Sequence, residues 1–406
     1  MKGWLLTLGL IYLIALEILR VYFIMPFPGS QHANTIDVAY FIDKDIWWLR
    51  LIGFAIIILP LIHILKRSKT WKKILALVVI ILYAFVAYQF NFKFLADKMF
   101  YQLKNKLLLS AAADTTNKDH LVIGVAINNE AKAYPIEVIG YHHQVRDTIG
   151  GEPVMITYCT VCRTGRVYSP LVNGKMENFR LVGMDHFNAM FEDATTKSWW
   201  RQESGVAITG PLKGTALKEV PSQQMSLGAW LELHPNSYVL QPDSNFKKEY
   251  ADLKGYDADT LNSSLEKRDS ASWKFKSWVI GVKINSNAKA YDWNTLAKNK
   301  MTEDEFAGTP LLLTMSKNER SFYVLNRTTL NGVLHFSIYN SPNGIINFNN
   351  TSSFLHDDKT NSTWNINGTC IDGLMKGTQL KPVPAYQEFW HSWKEFHPET
   401  KTDSLK

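Results

Sequence analysis

Two cysteines, Cys159 and Cys162, stand two residues apart in the stretch Gly150–Pro170. His142 and His143 precede them, and Asp185 and His186 follow. This is the densest gathering of thiols and imidazoles in the chain. A Cys-x-x-Cys in a tight turn lets both thiolates face one ion, and Zn²⁺ or Cu(I) accepts sulfur together with imidazole nitrogen. On that reading Cys159, Cys162, His142, His143 and His186 are the candidate ligands. Arg163, Arg201, Gln202 and Asp147 are the side chains expected around them. The same spacing serves thiol–disulfide exchange, with Arg163 placed to stabilise a thiolate. Redox pairs of the thioredoxin type sit at a helix N-terminus, however, whereas Arg163–Tyr168 reads as turn and strand. The bland reading is a structural turn holding a buried or disulfide-bonded pair with no turnover. The metal, redox and structural readings stay open on the sequence, and so does whether the protein is an enzyme. Hydrolase, phosphate-loop and zinc-protease motifs (Gly-x-Ser-x-Gly, a Gly-rich loop, His-Glu-x-x-His) do not occur.

The elements that must position these residues read as β-strands. Val154–Tyr158 and Arg166–Tyr168 are largely apolar, β-branched or aromatic, which places the cysteines in the turn between two strands. Upstream, Val122–Ile127 and Ala131–Ile136 flank Asn128-Asn129-Glu130 and read as a hairpin, with Ile139–Val145 a short helix after it. The pattern then recurs. VIGVAINNEAKAY (Val122–Tyr134) is answered by VIGVKINSNAKAY (Val279–Tyr291), and GEPVMIT (Gly151–Thr157) by GTPLLLT (Gly308–Thr314). DATTKSWW (Asp193–Trp200) is answered by DDKTNSTW (Asp357–Trp364), and WLELHP (Trp230–Pro235) by WKEFHP (Trp393–Pro398). The order holds and the offset is nearly constant, the signature of an internal duplication. Residues present in both copies, such as Trp200/Trp364, Trp230/Trp393 and His234/His397, read as fold determinants. The cysteines are not shared: Thr314-Met315-Ser316-Lys317-Asn318-Glu319 stands where the first copy has Thr157–Cys162. Any chemistry therefore belongs to the first copy, and the second reads as a degenerate structural partner.

The N-terminal quarter reads as a membrane anchor. Trp4–Ile24, Trp47–Leu65 and Ile74–Phe92 are each about 19 to 21 residues of mostly apolar sequence, long enough to cross a bilayer. Glu17 and Arg20 fall inside the first span at a spacing that lets them pair on one helix face. Lys66, Arg67, Lys69, Lys72 and Lys73 crowd the second loop, while Asp37, Asp43 and Asp45 occupy the first. Positive charge marks the cytoplasmic side, so the N-terminus is expected inside and everything beyond Phe92 outside. Lysines and apolar residues alternate after Phe92 in a pattern suited to an amphipathic helix on the membrane surface. The net charge of +7 is concentrated beside the apolar spans. With no nucleic-acid-binding signature in the chain, it points to the lipid bilayer as partner rather than to nucleic acid. Three cysteines are too few for a disulfide framework, and Cys370 reads as a buried thiol remote from the pair.

Tyr158-Cys159-Thr160-Val161-Cys162, preceded by Gly150-Gly151-Glu152-Pro153-Val154, resembles the signature of the prokaryotic family called domain of unknown function 3179. Its upstream His and Asp are matched by His142 and Asp147. Its Ser-x-Trp-x-Gln is matched by Ser198, Trp200 and Gln202, and its closing Trp…His-Pro by Trp230, His234 and Pro235. Thr160 and Arg163 stand where many members carry Pro and Gly. Three spans and the segment Met25–Gln31 are similar to a membrane-bound subgroup. The resemblance implies no activity. The expected architecture is a three-helix transmembrane anchor (1–92) and an amphipathic or linker helix (93–118). A first β-rich repeat (119–243), a linker (244–276) and a degenerate second repeat (277–400) follow. The two repeats form a duplicated α+β region outside the inner membrane, in the periplasm. A non-catalytic binding or assembly module, with Trp199 and Trp200 on its partner surface, is the alternative class.

Overall fold

The computed structural model describes residues 2–261, 263–339 and 354–403. It comprises two compact units, one made of Met1–Gln102 and Pro170–Leu217, the other of Leu103–Ser169 and Lys218–Lys406.

In the first unit, helices span Lys2–Tyr22, Ile36–Arg67 and Thr70–Phe92. All three are long and apolar enough to cross a membrane, by length and composition. Leu6, Leu10, Leu13, Ile57 and Ala76 make an apolar seam, while Trp47, Leu59 and Ile81 lie exposed as lipid-facing residues would. The pairing of Glu17 with Arg20 does not form. Glu17 instead takes both Arg50 Nε and Nη2 at 2.7 Å, and Arg20 Nε reaches Asp43 Oδ1 at 2.8 Å. Asn91 Oδ1 accepts from both guanidiniums and its amide donates to Glu17. Pairing across helices lets Arg50 grip both Glu17 oxygens and gives each guanidinium a second acceptor in Asn91. The strands Phe179–Asp185, Asn188–Asp193, Trp199–Arg201 and Ala207–Thr209 form an antiparallel sheet in this unit. Met184 N donates to Ile24 O at 2.7 Å. A side chain at Gly183 would overlap that carbonyl, so only glycine permits the approach.

The second unit is β-rich. Its first sheet runs, in spatial order, Leu108–Ser110, Tyr238–Leu240, Glu130–Pro135, Leu121–Ile127, Gln223–Ser226. The expected hairpin is present, with Asn128 and Asn129 both at positive φ, as a two-residue primed turn requires. The helix after it spans Ile136–His142, earlier than the Ile139–Val145 read from the sequence, because Gln144–Ile149 is drawn into a sheet with Glu152–Cys159 and Thr164–Tyr168. The same order of elements occurs at Trp278–Ile284, Asn287–Asp292, Trp293–Asn299, Met301–Phe306, Thr309–Met315 and Phe322–Asn326.

Matching contacts accompany that order. Tyr134 Oη donates to Asp147 at 2.7 Å, as Tyr291 Oη does to Asp304. Trp230 Nε1 donates to Ser237 at 2.8 Å, as Trp393 Nε1 does to Thr400. A side chain at Gly124 or Gly281 would overlap the indole of Trp230 or Trp393. His234 and His397 stack on those indoles, with centroids 4.1 and 4.2 Å apart. In the first unit Asp193 Oδ2 accepts Trp200 Nε1 at 3.0 Å; in the second, Asp357 Oδ2 accepts Trp364 Nε1 at 2.8 Å.

Two expectations need correction. Over 93–118 there is a single helical turn, Ala96–Met99, rather than an amphipathic helix. The chain runs extended beyond it because Leu108–Ser110 pairs with Tyr238–Leu240. Residues 244–276 are also more than a tether: Phe246 and Tyr256 are buried, and Tyr256 packs on the strand that ends at Cys159.

Candidate functional site

Strand Glu152–Cys159 delivers the first cysteine at its last residue, and the partner strand restarts at Thr164, with Cys159 and Thr164 in register. Four residues close the turn. Arg163 takes φ 55°, the left-handed conformation that glycine adopts without strain. Both thiols are fully buried and they are not joined in a disulfide. The Cys162 thiol is hydrogen-bonded to Cys159 and to Ser392. Burial, and then the neighbouring Cys159, push Cys162 far above an ordinary thiol pKa.

Three stretches of the second unit enclose the turn. Tyr256 Oη donates to Thr160 O at 2.9 Å and contacts Tyr158 Oη at 3.3 Å. Lys276 Nζ donates to Val161 O at 3.3 Å, and the buried thiols lie close enough to oppose the downward push that burial exerts on its pKa. Phe389 N donates to Cys162 O at 2.9 Å, and His391 Nε2 lies 3.4 Å from Val161 O. Arg166 pairs with Glu388, both fully buried, and its guanidinium stacks on Tyr386. A sequence reading anchored on the Cys-x-x-Cys missed Tyr256, Lys276, Glu388 and His391. They are distant in sequence, and only the aromatic and charged character of 250–276 hinted at packing.

The remaining predicted residues are distributed as follows. His143 ends the helix Ile136–His142 at φ 59°, and its carbonyl accepts Tyr158 N at 3.0 Å, which ties it to the cysteine strand. Its Nδ1 lies 3.1 Å from Tyr141 O, and burial pushes its pKa down to about 4. His142 Nε2 meets Tyr250 Oη at 2.6 Å, with the ring edge-on to Phe246. Asp147 is held by Tyr134, Lys106 and Lys132. His186, Arg201 and Gln202 belong to the first unit. There Asp185 takes His186 Nδ1 at 2.7 Å and Arg201 Nε at 2.9 Å, and Gln202 Oε1 accepts Asn188 Nδ2 at 2.9 Å. Trp199 and Trp200 are 0% and 1% exposed, with indoles bonded to Glu192 and Asp193, so they offer no surface to a partner.

A group that sequence reading did not single out is His120, Glu137 and Asp257. Among the described residues, their ligand atoms lie within 4.8 Å of one another and could hold a metal ion. Asp257 Oδ2 accepts Leu121 N at 2.8 Å and sits 3.4 Å from His120 Nδ1. The hydrogen bond to Asp257 raises the His120 pKa, and burial followed by the Asp257 charge raises that of Glu137. Elsewhere in the second unit a cleft of about 640 Å³ is lined by Trp230, His234, Tyr323 and Tyr386 among others.

The model of the family described as protein of unknown function, DUF3179, matches residues 106–400, and the chain belongs to that family. No curated protein and no solved structure matches the chain.

Proposed function

We propose that this member of the DUF3179 family is a membrane-anchored protein whose working centre is the Cys159–Cys162 pair, and that the pair holds a soft metal ion, Cu(I) or Zn²⁺. The observation that carries this reading is the direct contact of two fully buried thiols in one turn. Thiol–disulfide exchange needs a sulfur that a partner can reach, and neither sulfur is exposed. An ion is small enough to enter where a protein disulfide is not. Bound metal deprotonates the thiols, and Lys276 supplies a positive charge beside the resulting thiolates. The two thiolates are the proposed ligands; His142 Nε2 and His143 Nδ1 face Tyr250 Oη and Tyr141 O instead, and His143 holds the cysteine strand through its backbone.

The matched contacts of the two halves of 119–400 support descent from one duplicated unit, with the thiols confined to the first. The lysine-rich connection between the second and third helices supports a cytoplasmic N-terminus and an extracytoplasmic β-rich region.

Metal analysis of the full chain, purified anaerobically in detergent, tests the centre. Wild type should carry metal that the Cys159→Ser/Cys162→Ser variant lacks; equal content in both overturns the reading. Cysteines that take a thiol label only after reduction, in metal-free protein, would establish a structural disulfide instead. A C-terminal reporter active in the cytoplasm would overturn the orientation.

A further inference from the structure

Next to the thiol turn, the second unit buries a set of donors with no acceptors. Arg163 is 1% exposed, yet its Nε and Nη2 have no hydrogen-bond partner; only Nη1 reaches an acceptor, Tyr256 O, at 3.4 Å. Its guanidinium carbon lies 3.9 Å from the Trp278 ring centroid. The half-buried Arg268 lies 4.1 Å from the same centroid, and its Nε is also without a partner. The two guanidiniums are therefore no farther apart than those two distances together. The indole Nε1 of Trp278 is a fourth orphan donor. That of Trp293, edge-on to Trp278 at 5.3 Å, is a fifth.

Acidic groups lie near this charge without pairing to it. Among the described residues no carboxylate lies within 4 Å of either guanidinium. Asp259 accepts the backbone N–H of Arg268 at 3.1 Å, and the Arg268 side chain donates to Asn294. Asp259 first, then Asp292 and Glu319, favour the charged form of Arg268 from longer range, while burial and Arg163 oppose it. Burying a guanidinium with unmade hydrogen bonds is costly unless something completes them. Native proteins leave few such groups, and orphan donors on two neighbouring guanidiniums call for an acceptor that carries negative charge.

We propose that Arg163 and Arg268, with the indole N–H groups of Trp278 and Trp293, bind a small tetrahedral oxyanion of the phosphate or sulfate class. Two guanidinium forks and two indole donors suit the four oxygens of a tetrahedral ion better than the two of a flat carboxylate. The enclosure of Arg163 and Trp278 selects a free ion over a headgroup still attached to lipid. Arg268, the less buried member, marks the entrance. The site adjoins the thiol turn through Arg163 but does not depend on metal binding there.

Calorimetric titration of the full chain in detergent, in chloride buffer of constant ionic strength, tests the proposal with inorganic phosphate, sulfate and acetate as probes. Phosphate or sulfate should bind saturably, and acetate at least about tenfold more weakly. Arg268→Gln should weaken the oxyanion about tenfold or more, as expected for one charge-assisted hydrogen bond. Arg163→Lys, which keeps the charge and loses the fork, should also weaken it. The Cys159→Ser/Cys162→Ser variant should bind the oxyanion as wild type does even when its metal is gone, so the two readings fail separately. Absence of saturable binding in wild type overturns the proposal. So does equal affinity in wild type, Arg268→Gln and Arg163→Lys.

Discussion

In the hairpin Glu152–Tyr168 the paired strands stop at Cys159 and resume at Thr164; in Thr309–Asn326 they stop at Met315 and resume at Phe322, one position short of Ser316 and Ser321, which answer Cys159 and Thr164. Ser316 N still donates to Ser321 O at 2.8 Å, and each loop includes a residue at positive φ, Arg163 in one and Glu319 in the other. The helices before them also end alike. His143 at φ 59° and Lys300 at φ 62° each accept, through the backbone carbonyl, a hydrogen bond from the strand that leads into the turn, at 3.0 and 2.9 Å. The second turn is closed by Ser316 Oγ, bonded to Asn318 and to Ser321 N. Backbone geometry at these corners therefore requires neither thiol nor imidazole. What differs is the cover: the first turn is overlaid by Tyr256, Lys276 and His391, whereas Lys317 and Asn318 of the second lie exposed. A fold determinant should behave alike in the two halves, and a functional residue should not.

The largest expected asymmetry is metal content, abolished by Cys159→Ser/Cys162→Ser and untouched by Ser316→Ala, with circular dichroism unchanged in both variants. The largest symmetric effect belongs to the tryptophans. Trp230→Ala and Trp393→Ala should each cost about 3–5 kcal/mol in denaturant unfolding, since each removes a fully buried ring that packs against a glycine. A large effect in one half alone would break the equivalence. Smaller, and again symmetric, Asp147→Asn and Asp304→Asn should each cost about 1–2 kcal/mol through weakened bonds to Tyr134 or Tyr291 and the adjacent lysine. If Asp147→Asn also empties the thiol site of metal while leaving stability unchanged, Asp147 serves the site rather than the scaffold.

A further asymmetry concerns acid. Burial, and then Lys276, hold His391 down to about 3, against an ordinary imidazole value of 6.5. Its folded pKa is depressed, so the unfolded chain binds the proton more readily. The stability that goes with neutral His391 is complete above pH 6.5 and is lost as pH falls toward 3. The thermal midpoint of wild type should fall more steeply over that window than that of His391→Gln; parallel curves would remove His391 from the account.

Much of the architecture was legible because it rests on local patterns. Apolar runs of membrane length marked the three helices, alternation marked the strands, and the Asn128-Asn129 pair marked a tight turn. The matched segments separated shared positions such as Trp230 and Trp393 from unshared ones such as Cys159. Boundaries were less legible: Gln144 and Val145 have no feature that denies them to a helix until the neighbouring strand claims them.

The sequence by itself determined that two thiols lie in a turn between strands, that a related stretch lacks them, and that three helices precede both. Each of these follows from residue type and spacing along one segment. Only the tertiary structure decided which remote residues surround the thiols, that Glu17 pairs with Arg50 rather than Arg20, and that Pro170–Leu217 packs in one unit with the helices. It alone showed Arg163 and Arg268 stacked on one indole with donors to spare. The reason is physical. Partners separated by tens or hundreds of residues are chosen by which buried charges and donors can be satisfied together, and no periodicity within a segment records that choice.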